Sequence, residues 1–217
     1  IQNPEIKKLR LLFQKTKERK KQNLFVIEGE REIEKALKGG YLLESIFIHE
    51  AAEHSFEIII SRSKVSNIFL LSSSIFEYLS IRSGSEKIIA IAQSKTHKLE
   101  DLMLYKTSII LVIEAPEKPG NIGAIFRTAA AAKIDAVIVA NPKTDFYNPN
   151  SIRSSLGSMF LTPTAIGTSL DVISFLKKKS ICIATAAIHP KAINYNDFDY
   201  STPCAIIMGT ESAGLDT

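Results

Sequence analysis

Four apolar runs in the second half of the chain leave little freedom in what it can fold into. They are "SIILVIEA" from residue 108, "DAVIVA" from 135, "SICIATAA" from 180 and "CAIIM" from 204. Each is continuous in Ile, Val, Leu and Ala rather than alternating with polar residues, so each buries both faces. Helical segments separate the runs, among them the stretch after Pro119 and "SLDVISFLKKK" from 169. A parallel sheet covered by helices on both sides satisfies that pattern. In open sheets of this kind ligands bind in the crevice at the carboxyl ends of the strands. The turns after "SIILVIEA", "CIATAA" and "CAIIMG" are therefore expected to converge on the functional site.

The first half reads as a smaller α/β unit. A helix is expected from Pro4 to about residue 21, with Ile6, Leu9, Leu12 and Phe13 on one face. "NLFVIEGE" then reads as a strand, "REIEKALKGG" as a helix closed by glycine, and "LESIFIHE" as another strand. Further apolar segments follow at "FEIIISRS", "NIFLLS" and "KIIAIAQ". The stretch 94–107 is polar and interrupts the strand pattern. The expected organisation is a domain over 1–93, a linker over 94–107 and a second domain over 108–217.

Charge is unevenly spread. The chain of 217 residues carries a net charge of +4, yet residues 1 to 23 hold eight basic residues against Glu5 and Glu18, leaving the remainder about −2. Those eight are Lys7, Lys8, Arg10, Lys15, Lys17, Arg19, Lys20 and Lys21. Basic residues on one helix face supply the salt-dependent phosphate attraction that nucleic-acid binding requires, although a solvated face would look the same. Cys182 and Cys204 both sit in apolar runs and read as buried thiols of a reducing compartment rather than a disulfide. The 4 histidines show no ligand spacing with Cys, Asp or Glu, so no metal is expected. No apolar run reaches the roughly 18 residues a membrane helix needs. A cytoplasmic, soluble protein is the expectation.

The segment "EKPGNIGAIFRTA" places a Pro-Gly-Asn turn at the start of an alanine-rich helix carrying Arg127. Backbone N–H groups at such a helix start, aided by the helix dipole, favour an anion such as phosphate. Gly123, four residues before Arg127, is expected on the same face, leaving room beside the guanidinium. Spacing alone fits an ordinary surface arginine equally well. The full Gly-x-Gly-x-x-Gly fingerprint is absent and the next strand ends in Asn141 rather than an acid, which counts against a nicotinamide enzyme. "MGTESAGL", residues 208 to 215, is a strand end with Gly209 and Gly214 bracketing Glu211. By composition it is a plain turn.

Together, "EKPGNIGAIFRTA" and "IMGTESAGL" resemble the first two signature motifs of the SpoU (TrmH-type) family of RNA ribose methyltransferases. "NPNSIRSSLGSMFLTP" between them resembles the family's Ser-x-Gly segment, and residues 1–37 are similar to the ribosomal-protein-like substrate-binding domain that precedes many members' catalytic domain. The resemblance implies a knotted SPOUT-type α/β fold with a mostly parallel sheet, preceded by a small α/β RNA-binding domain. It also implies a homodimer, S-adenosylmethionine as donor and the 2′-hydroxyl of an RNA nucleotide, in ribosomal RNA, as acceptor. Lys118 stands where the family often has Asp or Asn, and the family's third motif, an Ile-Pro-Met segment followed by Ser-Leu-Asn, does not occur before the sequence stops at Thr217. If the natural chain stopped there, no competent cofactor site and no activity would be expected.

Carried onto this sequence, the resemblance makes Arg127 the central catalytic residue, with Asn121 positioning it or the substrate, and Glu211 part of the active-site turn. It gives Thr185, Ala186, Met208, Gly209 and Gly214 to the cofactor, and Arg153 and Ser155, with the eight N-terminal cations, to RNA. A guanidinium is always protonated in proteins, so Arg127 is expected to hold the ribose and its phosphate and to stabilise a developing alkoxide rather than act as a base. The alternative reading is a non-catalytic RNA-binding or ribosome-assembly protein on the same fold.

Overall fold

The computed structural model describes residues 3–80, 86–210 and 214–215. In chain order the first elements are α1 Pro4–Gln14, α2 Thr16–Gln22, β1 Leu24–Glu28, α3 Glu30–Lys38, β2 Leu43–His49, α4 Glu57–Ser63, β3 Ile68–Leu71, α5 Ser73–Leu79 and β4 Ile88–Gln93. There follow β5 Ile109–Glu114, α6 Pro119–Ala131, β6 Ala136–Ala140, α7 Pro149–Ser155, β7 Thr164–Gly167, α8 Ser169–Lys178, β8 Cys182–Ala186 and β9 Cys204–Met208.

The chain divides into two compact units. The first holds residues 1–95 and 147–161, the second residues 96–146 and 162–217. The first unit is built on a mixed sheet in the order β1-β4-β2-β3, in which only β2 and β3 run parallel. The second has the parallel sheet that continuous apolar strands demand, in the order β7-β6-β5-β9-β8. Its core gathers Ile110, Val112, Ile138, Ala165, Val172, Leu176 and Ile207. Leu99 and Leu102, from the polar stretch read as a linker, are buried in that same core. Residues 96–107 thus belong to the second unit.

The single N-terminal helix of the sequence pattern is two. Lys15 adopts an extended conformation that ends α1, and Arg19 explains why the break is stable. Its guanidinium is buried and donates to the carbonyls of Leu12 and Phe13 and to Thr16 Oγ1, satisfying groups that the end of α1 leaves open. Arg19 is therefore a helix cap, not a cation presented to RNA. Ile6, Leu9 and Leu12 pack on the sheet with Phe47, Ile89 and Ile91 as the spacing requires.

The segment 147–161 completes the opposite side of the first unit. Tyr147 stacks on Phe25 of β1 at 4.2 Å between ring centroids, and Tyr41 meets Phe160 edge-on at 5.0 Å. The Tyr41 and Tyr147 hydroxyls lie 3.3 Å apart, and Lys95 N–H donates to Tyr147 Oη at 3.0 Å. Lys35 Nζ donates to the Leu156 carbonyl at 2.8 Å. Gly157 adopts φ +75 against α3, where a side chain would press on Lys35 and the Glu32 backbone. Ser155 is buried, donating to the Ile152 carbonyl at 2.7 Å and accepting Gly157 N–H at 3.1 Å. The Ser-x-Gly segment is thus a packing device here, and the Ser155 hydroxyl is not offered to RNA.

Two outcomes follow from this aromatic cluster. Truncating Tyr147 to Ala should cost the first unit roughly 3–5 kcal/mol in urea unfolding, and a loss under about 1 kcal/mol would remove Tyr147 from that core. Burial outweighs the hydrogen bond with Tyr147 and pushes the Tyr41 phenol from 10.0 up to about 12. The folded state holds this proton more tightly than the unfolded state, so the associated stability is complete below pH 10.0 and is lost as pH rises through about 12. A two-unit shift corresponds to roughly 2–3 kcal/mol. Tyr41→Phe should flatten that alkaline decline in unfolding experiments, and an unchanged slope would refute the assignment.

Candidate functional site

The strands of the second sheet advance from β5 through β6 to β7 in one direction, then resume on the other side of β5 with β9 and β8. The point of reversal lies between β5 and β9, where open α/β sheets leave a crevice. A cavity of about 260 Å³ lies there, lined by Ile113, Glu114, Ala115, Pro116, Glu117, Lys118, Asn121, Ile125, Met208, Gly209 and Thr210.

Its walls are set by local chemistry. Ala115 turns at φ +44, and its N–H donates to the Ala140 carbonyl at 2.8 Å, so the chain leaves β5 still tied to β6. Pro119 sits in the first turn of α6, where a missing N–H costs nothing. Asn121 follows with its N–H on the Lys118 carbonyl at 3.1 Å. On the far wall Met208 is 45% exposed at the end of β9. Beyond it Thr210 and Gly214 exchange backbone hydrogen bonds of 2.8 and 3.1 Å, Gly214 taking φ +74. A β-carbon at Gly209 would collide with the Gly214 carbonyl, so only glycine closes this turn. Glu211 lies outside the described residues.

A polar cluster that the sequence pattern does not disclose braces the cavity from β6 and β7. Glu114 Oε1 accepts from Asn141 Nδ2 at 3.0 Å, and Glu114 Oε2 accepts from Ser169 Oγ at 2.5 Å. Asn141 Nδ2 also donates to Ser169 Oγ at 2.7 Å. Asn141 takes φ +44, a conformation Asn tolerates well. Three strand ends are tied together through one carboxylate that also lines the cavity.

Arg127 stands apart from the lining. Ile122, Gly123, Phe126 and Ala129 form the buried side of α6, while Gly120, Arg127, Thr128, Ala130 and Ala131 are exposed. Gly123 is thus turned inward, and the open position in line with Arg127 is Gly120, where a β-carbon would meet nothing within 4 Å. Seven residues bring two helix positions to within about 20° of each other. Ala124 and Ala131 flank the same face, so no side chain larger than a methyl group shields the guanidinium along it. Among the described residues none pairs with Arg127.

The remaining expected site residues are dispersed. Thr185 and Ala186 lie exposed on β8, in register with Ile207 and Met208. Arg153 is exposed on α7, and Lys7, Arg10, Lys15, Lys17, Lys20 and Lys21 are exposed on the first two helices and their junction. Lys8 pairs with Glu44, and the Arg10 guanidinium covers the Tyr78 ring at 4.9 Å.

The sequence model of the SpoU rRNA Methylase family matches residues 108–217. The chain belongs to this family. A second match, to the MRM3-like substrate binding domain, covers residues 3–90. Among curated relatives, the 23S rRNA (guanosine(2553)-2′-O)-methyltransferase RlmP of Bacillus subtilis is 29% identical over 99% of this chain and 82% of its own length. A crystal structure of an RNA 2′-O ribose methyltransferase is 33% identical with TM-score 0.81, covering 99% of this chain and 82% of that one. The SpoU methyltransferase AviRb from Streptomyces viridochromogenes, in complex with AdoMet, superposes with TM-score 0.88 at 22% identity, covering 100% of this chain and 84% of its own, a likeness of fold.

For this SpoU-family chain the two glycines of the site separate cleanly. Gly209→Ala should lower the melting temperature of the second unit and displace the Thr210–Gly214 turn. Gly120→Ala should leave stability unchanged or raise it by up to about 1 kcal/mol, because it adds a helix-favouring residue in open space. Equal effects of the two substitutions in thermal unfolding would refute this account.

Proposed function

We propose that the protein transfers a methyl group from S-adenosylmethionine to the 2′-hydroxyl of a ribose in ribosomal RNA. The family membership and the exposed Arg127, which pairs with none of the described residues, on a helix that begins at the cavity rim support this reading. The cavity fits part of the donor. Ile113, Ile125 and Met208 offer apolar contact, and the Glu114 and Glu117 carboxylates complement a sulfonium charge. Met208, Gly209 and Gly214 would hold the donor, with Thr185 and Ala186 on the neighbouring strand, and Glu211 would act among the catalytic residues. When bound, S-adenosylmethionine supplies an electrophilic methyl group.

Arg127 binds the phosphate flanking the target ribose, and the small residues around it let the sugar approach closely. Its fixed positive charge stabilises the alkoxide as the 2′-hydroxyl loses its proton to water or phosphate. Asn121, at the cavity end of the same helix, orients the ribose. Exposed Lys7, Arg10, Lys15, Lys17, Lys20, Lys21 and Arg153 draw in the RNA backbone. The same reading includes a homodimer, a knotted carboxyl-terminal region and a cytoplasmic location. Resemblance to the family supports the first two. The location is supported by the rRNA substrates named for its relatives.

The test is methyl transfer from radiolabelled donor to ribosomal RNA by the full-length protein. Arg127→Ala should reduce kcat by roughly 100- to 1000-fold, the scale of losing one transition-state donor. Arg127→Lys should recover part of that loss if charge alone matters and none if the forked guanidinium is needed. Full activity in Arg127→Ala would remove the residue from the mechanism. Retained RNA binding without methyl transfer or donor binding by the unmodified protein would favour an RNA-binding scaffold.

A further inference from the structure

The two cysteines, read from the sequence as separate buried thiols, are direct neighbours in different environments. Cys182 opens β8, Cys204 opens β9, and the two are register partners in the parallel pairing of these strands. Both are free thiols. Partner residues on adjacent strands project to the same face, and a strand spacing of about 4.7–4.9 Å falls inside the Cα separation of about 4.4–6.8 Å that a disulfide spans. Cys204 is 0% exposed, whereas Cys182 is open to solvent because β8 is the edge of the sheet. Cys182 therefore departs from the buried environment that its apolar run implies, and Cys204 does not. An edge strand has a neighbour on one side only, and five residues of β8 can shift toward β9 without dragging a further strand.

The chemistry of the pair is asymmetric. Burial, then the neighbouring Cys182 and Asp199, pushes the Cys204 thiol up from its ordinary value. Cys204 is thus protonated and shielded at neutral pH, and a solvent-borne oxidant meets Cys182 first.

We propose that Cys182 and Cys204 are an oxidation site, closing a reversible cross-strand disulfide in the presence of a peroxide. In the first step the Cys182 sulfur attacks a peroxide oxygen. An S–O bond forms, the O–O bond breaks, one water leaves, and Cys182 becomes a sulfenic acid. In the second step the Cys204 sulfur attacks the sulfenic sulfur. The S–S bond forms, the S–O bond breaks, and the departing hydroxide takes the Cys204 proton as a second water. Two thiols lose two electrons in total, and one hydrogen peroxide is reduced to two waters. The bond clamps the amino ends of β8 and β9, three residues before Thr185. This inference rests on the strand register and on the two environments, and stands apart from the proposed methyl transfer.

The experiment oxidises the folded full-length protein with hydrogen peroxide, quenches it by alkylation under denaturing conditions, and measures intact and peptide masses. The expected result is loss of two hydrogens, a Cys182–Cys204 linked peptide, single-chain mobility on a non-reducing denaturing gel, and reversal by dithiothreitol. Without peroxide, native alkylation should label Cys182 about tenfold or more faster than Cys204, as exposure governs thiol reactivity. Cys204→Ser removes the resolving thiol, so Cys182 should then advance to sulfinic acid. Equal sulfinic acid formation in the unsubstituted and Cys204→Ser proteins would overturn the proposal. So would peroxide treatment that leaves both thiols open to alkylation.

Discussion

Pairing of β9 with β5, from Ile109↔Cys204 to Ile113↔Met208, joins two halves of the second sheet that the chain builds in opposite directions. β5, β6 and β7 extend one way, while β8 enters on the other side and reaches the sheet only through β9. Because all these strands are parallel, their carboxyl ends lie together, and β9 delivers Met208 and Gly209 beside the turn that leaves β5. The crevice at this reversal is therefore a property of strand order before any side chain is chosen. Side chains then adapt it: apolar Ile113, Ile125 and Met208 line it, and Glu114 ties its wall to Asn141 and Ser169.

The placement of Arg127 has the same kind of cause. A helix starting at Pro119 must bury one side against the sheet, and Ile122, Phe126 and Ala129 do so. Phe126 also meets Phe146 at 5.6 Å within the second unit, which fixes the helix rotation. With that rotation set, the adjacent residue projects outward along a face of Gly120, Ala124 and Ala131. An arginine there costs little desolvation and keeps its charge. A larger side chain at Gly120 would enter open space on the approach without disturbing the core, so the emptiness of this position constrains ligand access rather than stability.

What was legible in the sequence depended on how local its cause was. Continuous Ile and Val runs announced the parallel strands β5, β6 and β9, which are largely buried, because their pattern is contained in each strand. The Pro-Gly-Asn turn announced the helix start for the same reason. β8, at the sheet edge, is exposed or half-buried throughout, against the same expectation. Arg19 looked like one more surface cation, since nothing in "KTKERKK" shows that Lys15 breaks the helix and that the carbonyls of Leu12 and Phe13 need a donor. Ser155 looked available because its partners, the Ile152 carbonyl and Gly157 N–H, appear only once the turn is formed. The Glu114–Asn141–Ser169 cluster draws on three strand ends separated by more than 25 residues each, a proximity that requires the register of the sheet. Cys182 sat in an apolar run like its partner, yet edge position rather than local composition decided its exposure.

The segment 147–161 gives the first compact unit a part that is distant in sequence. Phe146 and Tyr147 are consecutive aromatic residues buried in different cores, the first against Phe126 and His97, the second against Phe25. The sequence between β6 and β7 thus leaves one unit to complete the other and returns at residue 162. A fragment ending at residue 95 would lose the aromatic wall that covers Phe25 and Tyr41. A fragment beginning at residue 96 would expose Tyr147, Ile152 and Phe160, which are buried only in the first unit's core. Burying one large aromatic side chain contributes several kcal/mol on its own. The hydrophobic term therefore couples the folding of residues 1–95 to a stretch that the chain supplies only after α6 and β6, which makes the amino-terminal unit a non-local assembly rather than an independently closed module.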